Sequence, residues 1–160
     1  MDESPILEKI REHLTDAALS THSYLGQDTV VVEASHLVAL AQFLKNDPDL
    51  KFNYLMDVTA VDHWKTKPRF EVVYHFFSLE KNLRLRVKVP VDDPEPEVDS
   101  LCSLWPSANW FEREVYDMFG VKFRGHPNLS RILMYPEFEG HPLRKDYPIN
   151  KRQPLVGPRD

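Results

Sequence analysis

Three runs between residues 52 and 91 constrain this chain most, because their residue types leave little choice of backbone. From Phe52 to Asp62, Arg69 to Ser78 and Leu83 to Val91, β-branched and aromatic residues dominate, the side chains that suit a pleated surface. The separating stretches, 63–68 and 79–82, are short and turn-like. Connections of that length join antiparallel neighbours, so an antiparallel meander is expected. The last run alternates strictly. Leu83, Leu85, Val87 and Val89 share one face, and Arg84, Arg86 and Lys88 share the other. One face is therefore core, and the other is solvated or meets an acidic partner.

Upstream, Ser4 and Pro5 form a helix start, followed by Leu7, Ile10, Leu14 and Ala17/Ala18 at helical spacing. Thr29 to Glu33 reads as a buried strand. Ser35 is expected to cap a second helix with Leu37, Leu40, Ala41 and Leu44 on its apolar face, ending near Asn46-Asp47-Pro48. Downstream, the acidic, proline-bearing stretch 92–100 reads as a surface loop. Ser107 and Gly120 then bracket a helix of about three turns over 108–119.

At 100° per residue, Trp110, Phe111, Val115, Met118 and Phe119 fall on one half of that helix, with Glu114 between Trp110 and Met118. A carboxylate in an apolar arc needs a cation or several donors, and Arg131 and Arg144 are the candidates within the chain. Prolines at 127, 136, 142, 148, 154 and 158 forbid long helices and central strands beyond it. The expected organisation is an α+β domain over 1–135, an antiparallel sheet with flanking helices, and an extended tail over 136–160. The anchors Leu143, Tyr147, Ile149 and Leu155 suit a tail draped over a partner.

Composition narrows function by exclusion. A net charge of −5 does not suit a nucleic-acid binder. The single cysteine, Cys102, excludes an internal disulfide and a four-thiolate iron–sulfur site. The start, Met1-Asp2-Glu3-Ser4-Pro5, precedes no apolar run long enough for a signal peptide or a membrane span. No Gly-rich phosphate loop, G-x-S-x-G or H-E-x-x-H is found. His126 and His141 each sit in a Gly-His-Pro tripeptide. They lack further ligands at recognisable spacing, so they read as turn residues, and no metal or catalytic residue is expected. A free-standing carboxylate hydrolase using Glu112, Glu114 and Asp117 is the competing reading. Glu112 and Glu114 point about 160° apart, too far to flank one substrate.

The run from Trp110 to Met134, followed by Gly140-His141-Pro142-Leu143-Arg144-Lys145-Asp146-Tyr147-Pro148, resembles the C-subunit family of NADH-quinone oxidoreductase, respiratory complex I. The strand-rich runs 69–78 and 83–89 resemble its sheet, so about residues 30–150 are covered. The corresponding subunits of photosynthetic and membrane-bound hydrogenase-type complexes share the motif; the complete 140–148 ending favours the respiratory form. The resemblance implies an accessory subunit of the peripheral arm, on the cytoplasmic side of the cell inner membrane, reaching the membrane only through the complex. It implies no cofactor in this chain, with FMN and iron–sulfur clusters in other subunits. It also implies packing against the D subunit, which holds the quinone site, and the B subunit, which bears a cluster. The motif residues expected at that interface are Glu112, Arg113, Glu114, Asp117, His126, Pro127, Arg131, His141, Pro142, Arg144, Lys145, Asp146 and Tyr147.

Overall fold

The computed structural model describes residues 4–14 and 18–157. Helix α1 (Pro5–His13) starts with proline in its first turn, where the missing N–H removes no helical bond. Its cap differs from expectation. The Ser4 hydroxyl bonds Asp28 across the fold instead of the helix end. Ala17 lies outside the described residues.

Strands β1 (Ala18–Tyr24) and β2 (Gln27–Val32) form an antiparallel hairpin closed by Leu25 and Gly26, both at positive φ. Two such residues match the right-handed twist of the flanking strands. Only β2 is legible in the sequence: the largely polar run 18–24 lacks core alternation, because β1 is an edge strand.

A short 3-10 turn, Ala34–His36, leads into α2 (Leu37–Asn46). The buried face, Leu37, Leu40, Ala41 and Leu44, is the one expected. Ser35 does not cap it; its hydroxyl faces Glu33 and His36. Strands β3 (Tyr54–Asp62), β4 (Phe70–Ser78) and β5 (Leu83–Val91) follow as the expected antiparallel meander.

The five strands run in the order β1-β2-β5-β4-β3. The pairing of β2 with β5 is parallel, so the sheet is mixed. The cause is α2, which carries the chain from β2 across the sheet to the far edge, from which the meander returns. Pairing across that crossover cannot be read from turn lengths.

All three helices contribute to one core with one face of the sheet. Phe70, Val72, Tyr74 and Phe76 of β4 and Leu85, Val87 and Val89 of β5 point into it, beside Ile10, Leu40, Leu44 and Val115. The opposite face carries the basic row, largely matched in place. Lys88 pairs with Glu71 at 2.9 Å, Arg86 donates to Gln27 and His75, and the Arg84 guanidinium lies over the Phe77 ring.

The stretch 92–100 is more than a surface loop. Strand β6 (Glu97–Asp99) buries Val98 and pairs in parallel with β7 (Lys122–Arg124). Between them runs α3 (Ala108–Phe119), ended by Gly120 at φ 76. Ser107 donates its hydroxyl to the Leu55 carbonyl, not to the helix. Residues 136–157 contain no helix or strand, as the prolines require. Yet 140–147 pack back on the chain's own domain instead of standing off as a free strap.

Leu40 has no exposed area and sits at the centre of the helical layer. Leu40→Ala is expected to lower stability by about 2–5 kcal/mol, the range for emptying a buried leucine site. Urea unfolding of the two chains measures it, and a difference under about 1 kcal/mol would place Leu40 outside the core.

Candidate functional site

Helix α3 is covered on two sides, which decides the fate of each motif residue. Ala108, Glu112, Val115, Met118 and Phe119 are buried towards the core, and Asp117 is buried on the opposite side. Trp110 is 70% exposed and Glu114 is exposed. The core-facing arc is thus rotated by about 50° from the one expected at 100° per residue. The expectation placed Trp110 inside for its apolar area and kept Glu112 outside for its charge. The reverse holds because the chain at 100–102 brings three donors to Glu112.

Glu112 accepts the Leu101 N–H at 2.7 Å on one oxygen, and the Ser100 hydroxyl at 2.6 Å and the Cys102 thiol at 3.3 Å on the other. Burial outweighs these bonds and raises its pKa above the usual carboxylate value. Burial also pushes the Cys102 thiol up to about 11, with the nearby Glu112 charge adding to the effect. The carboxylate buried on the core side of this helix is Glu112, not Glu114, and its partners are neutral donors, not the arginines. Arg131 and Arg144 bind elsewhere.

Asp117, with no exposed area, grips the chain at 131–134. One oxygen accepts three successive backbone amides, Ile132 at 3.1 Å, Leu133 at 2.9 Å and Met134 at 2.8 Å. The other takes Arg131 at 2.6 Å. Burial alone would raise this carboxyl; the amides and the guanidinium together hold it below its ordinary value. One turn earlier, Arg113 donates to the carbonyls of Ser130 and Arg131, each at 3.0 Å. An Arg and an Asp four apart on one helix face thus bind the acceptors and the donors of one irregular segment.

The second motif segment closes the other end of α3. The last carbonyls of a helix have no partner within it and carry partial negative charge. Here His141 Nδ1 donates to Asp117 O at 3.0 Å, Leu143 N–H to Met118 O at 3.1 Å, and Arg144 Nε to Phe119 O at 2.5 Å. Burial lowers the His141 pKa, which favours the neutral ring. Gly120 is needed twice, for its positive φ and because a Cβ there would lie 2.6 Å from His141 and 2.7 Å from Arg144.

Further on, Lys145 N–H donates to Asp62 at 2.8 Å, and Asp146 pairs with Arg69 at 2.8 Å. Arg69 also binds Asp62 at 2.9 Å and Asp93 at 2.7 Å, while Arg144 stands 3.7 Å from Asp93 and over Phe70. Arg144 is therefore engaged within the chain. Tyr147 stacks on Phe138, packs against Gly140 and accepts a hydrogen bond from Gln153. Pro142 is half-buried between His141 and Leu143, and Pro127 is exposed.

His126 also lies inside the fold. Its Nδ1 accepts Asn128 N–H at 3.0 Å, which puts the proton of the neutral ring on Nε2, facing Asn109 O at 3.0 Å. One ligating atom each from His126, Cys102 and Glu112 lie within 4.8 Å of one another. Their sequence spacing gives no hint of this.

The motif side chains thus mostly shape the surface from within. What faces outward around them is Trp110 and Glu114 on α3, Leu133 and Leu143 where the chain is tied to Asp117 and Met118, and then Ile149 and Leu155. Among the described residues none of these six is buried. Trp110 and Leu133 are the interface candidates that the sequence reading missed.

Residues 30–153 match the family described as "Respiratory-chain NADH dehydrogenase, 30 Kd subunit". The chain belongs to that family. It is 46% identical over 153 residues to the C subunit of NADH-quinone oxidoreductase from Roseiflexus sp. (strain RS-1), covering 96% of this chain and 88% of the relative. The same-named protein of Geotalea uraniireducens (strain Rf4) is 45% identical over 151 residues, 93% and 91% of the two chains. Among solved structures, a trypsin-resistant fragment of Nqo5 superposes with a TM-score of 0.63 at 30% identity, over 78% of this chain and 96% of the fragment. One component of an archaeal respiratory membrane complex, the membrane-bound sulfane sulfur reductase, gives 0.77 at 26% identity, over 91% and 85%. Like these family members, the chain is a subunit of a respiratory assembly. Among the described residues no helix is long and apolar enough to cross a membrane.

Asp117→Asn is expected to lower stability at pH 7 by about 3 kcal/mol, the low end for breaking a buried pair, since Arg131 keeps 17% exposure. The folded-state pKa of Asp117 is depressed, so its contribution is present above the ordinary value of 3.8 and is lost as pH falls through the folded value. The gap between variant and wild type in urea midpoint should therefore close below about pH 3.8. An equal gap at pH 3 and pH 7 would deny that the charge of Asp117 matters.

Proposed function

We propose that this chain is an accessory subunit of the peripheral arm of a proton-translocating NADH-quinone oxidoreductase, carrying neither flavin nor iron–sulfur cluster itself. It supports the quinone-site D subunit and the cluster-bearing B subunit on the cytoplasmic side of the membrane while electrons pass from NADH to quinone through other subunits. The observation that carries this reading is the outward apolar set beside the motif: Trp110, Leu133, Leu143, Ile149 and Leu155, all exposed. Exposed aromatic and aliphatic side chains on a rigid support are what an interface anchor requires. The relatives' name supplies the assembly.

The α3 carboxylates do not favour the hydrolase alternative. Glu112 and Asp117 are held by donors on opposite sides of the helix, and Glu114 stands in solvent. A component of a complex with another electron acceptor is the second reading, supported by the likeness to the sulfane sulfur reductase complex. At 26% against 46% identity the NADH-quinone reading is preferred.

Trp110→Ala and the double change Ile149→Ala/Leu155→Ala are the tests, because all three side chains are exposed and their loss should move stability by less than about 0.5 kcal/mol. Each variant should still fold, while tagged chain should recover less of the B and D subunits from membranes. A central aromatic anchor is worth about 2 kcal/mol, roughly thirtyfold in affinity. Undiminished co-purification and quinone reductase activity in both variants would remove these side chains from the interface.

A further inference from the structure

We infer that Cys102, Glu112 and His126 form a binding site for one borderline divalent cation of the zinc class, with thiolate, carboxylate and imidazole as its protein ligands. The site is independent of the assembly reading and departs from the sequence expectation that this chain holds no metal. Three different ligand types, each suited to such an ion, come from three separate parts of the fold. Cys102 follows β6, Glu112 lies on α3, and His126 follows β7.

The spacing suits ligation. Tetrahedral zinc binds sulfur at about 2.3 Å and nitrogen or oxygen at about 2.0–2.2 Å, which sets donor atoms roughly 3.3–3.8 Å apart. Cys102 Sγ and Glu112 Oε2 already stand 3.3 Å apart, and no pair in the triad exceeds 4.8 Å. Closure needs the imidazole to move inward by about 1 Å. It is placed to do so, being half-buried in a turn behind Gly125.

The surrounding bonds orient the ligands. Leu101 N–H holds Glu112 Oε1 and leaves Oε2 turned to the triad, where Ser100 donates to it and also accepts Cys102 N–H. Hydrogen bonds of this kind fix ligand geometry around bound ions. Cys102 and His126 are half-buried, so the fourth ligand would come from solvent. A site of sulfur, nitrogen and oxygen prefers Zn²⁺, Co²⁺ or Cd²⁺ to Mg²⁺ or Ca²⁺.

Binding exchanges protons and no electrons. The Cys102 S–H bond breaks, its proton passes to solvent, and a sulfur–metal bond forms. The ring nitrogen that ligates gives up its present hydrogen bond, to Asn109 or from Asn128. Without the ion the same groups are satisfied by the thiol-to-carboxylate bond and the two imidazole bonds. The ion therefore clamps β6, β7 and α3 together without being required for the fold.

The test is a titration of tag-free full chain with Co²⁺ under anaerobic conditions. Saturation at one equivalent is expected, with a thiolate-to-cobalt charge-transfer band in the near ultraviolet that is abolished by Zn²⁺ and untouched by Mg²⁺. Cys102→Ser, which can keep the hydrogen bond to Glu112, should remove the band and lower affinity by at least about tenfold, while leaving the unfolding midpoint of the metal-free protein in place. His126→Gln should also weaken binding at least about tenfold. The absence of a saturable band, or an affinity unchanged by Cys102→Ser or by His126→Gln, would overturn the assignment.

Discussion

The outer half of this structure depends on one buried carboxylate. Asp117 fixes three consecutive amides and an arginine, and so gives a single conformation to a stretch with no secondary structure of its own. An ionised group with no exposed area is tolerated only when every lone pair is met. The irregular chain needs its amides met just as much. Each solves the other's problem. Arg113 does the same with opposite polarity for the carbonyls at 130 and 131.

From that contact the rest follows in order. Arg131, held by Asp117, reaches the Gly140 carbonyl and lies over the Phe138 ring. That positions the second Gly-His-Pro segment to meet the last carbonyls of α3. Beyond it, the Arg69 cluster of three aspartates secures residues 145 and 146 to the ends of β3 and β4. The motif works mainly as an internal frame, and its product is the placement of Trp110, Leu133 and Leu143 at the surface.

Much of this was legible in the sequence where periodicity carries the information. The meander, α2 with its buried face, and the bounds of α3 all come from local pattern and turn chemistry. The failures share a cause: a long-range partner overrides a local rule. Ser4 and Ser107 suit helix caps but bond Asp28 and Leu55. Glu112 looks like a solvent residue until Ser100, Leu101 and Cys102 are brought to it. Trp110 looks like core, and a helical wheel cannot tell which arc of apolar side chains the fold covers. The parallel pairing of β2 with β5 depends on a crossover through residues 33–82, beyond the reach of any local signal. For the motif, resemblance identified the family, whereas the roles of its residues needed coordinates.

The motif holds the 131–147 segment in place within the chain itself, before any partner is present. Amide hydrogen exchange on the isolated chain tests this most directly. Strong protection of the Ile132, Leu133 and Met134 amides is expected in wild type, with its loss in Asp117→Asn and the β4 and β5 amides unchanged in both. Exchange of those three amides at unprotected rates in the isolated wild-type chain would contradict it, and would mean that the partner, not Asp117, orders the segment.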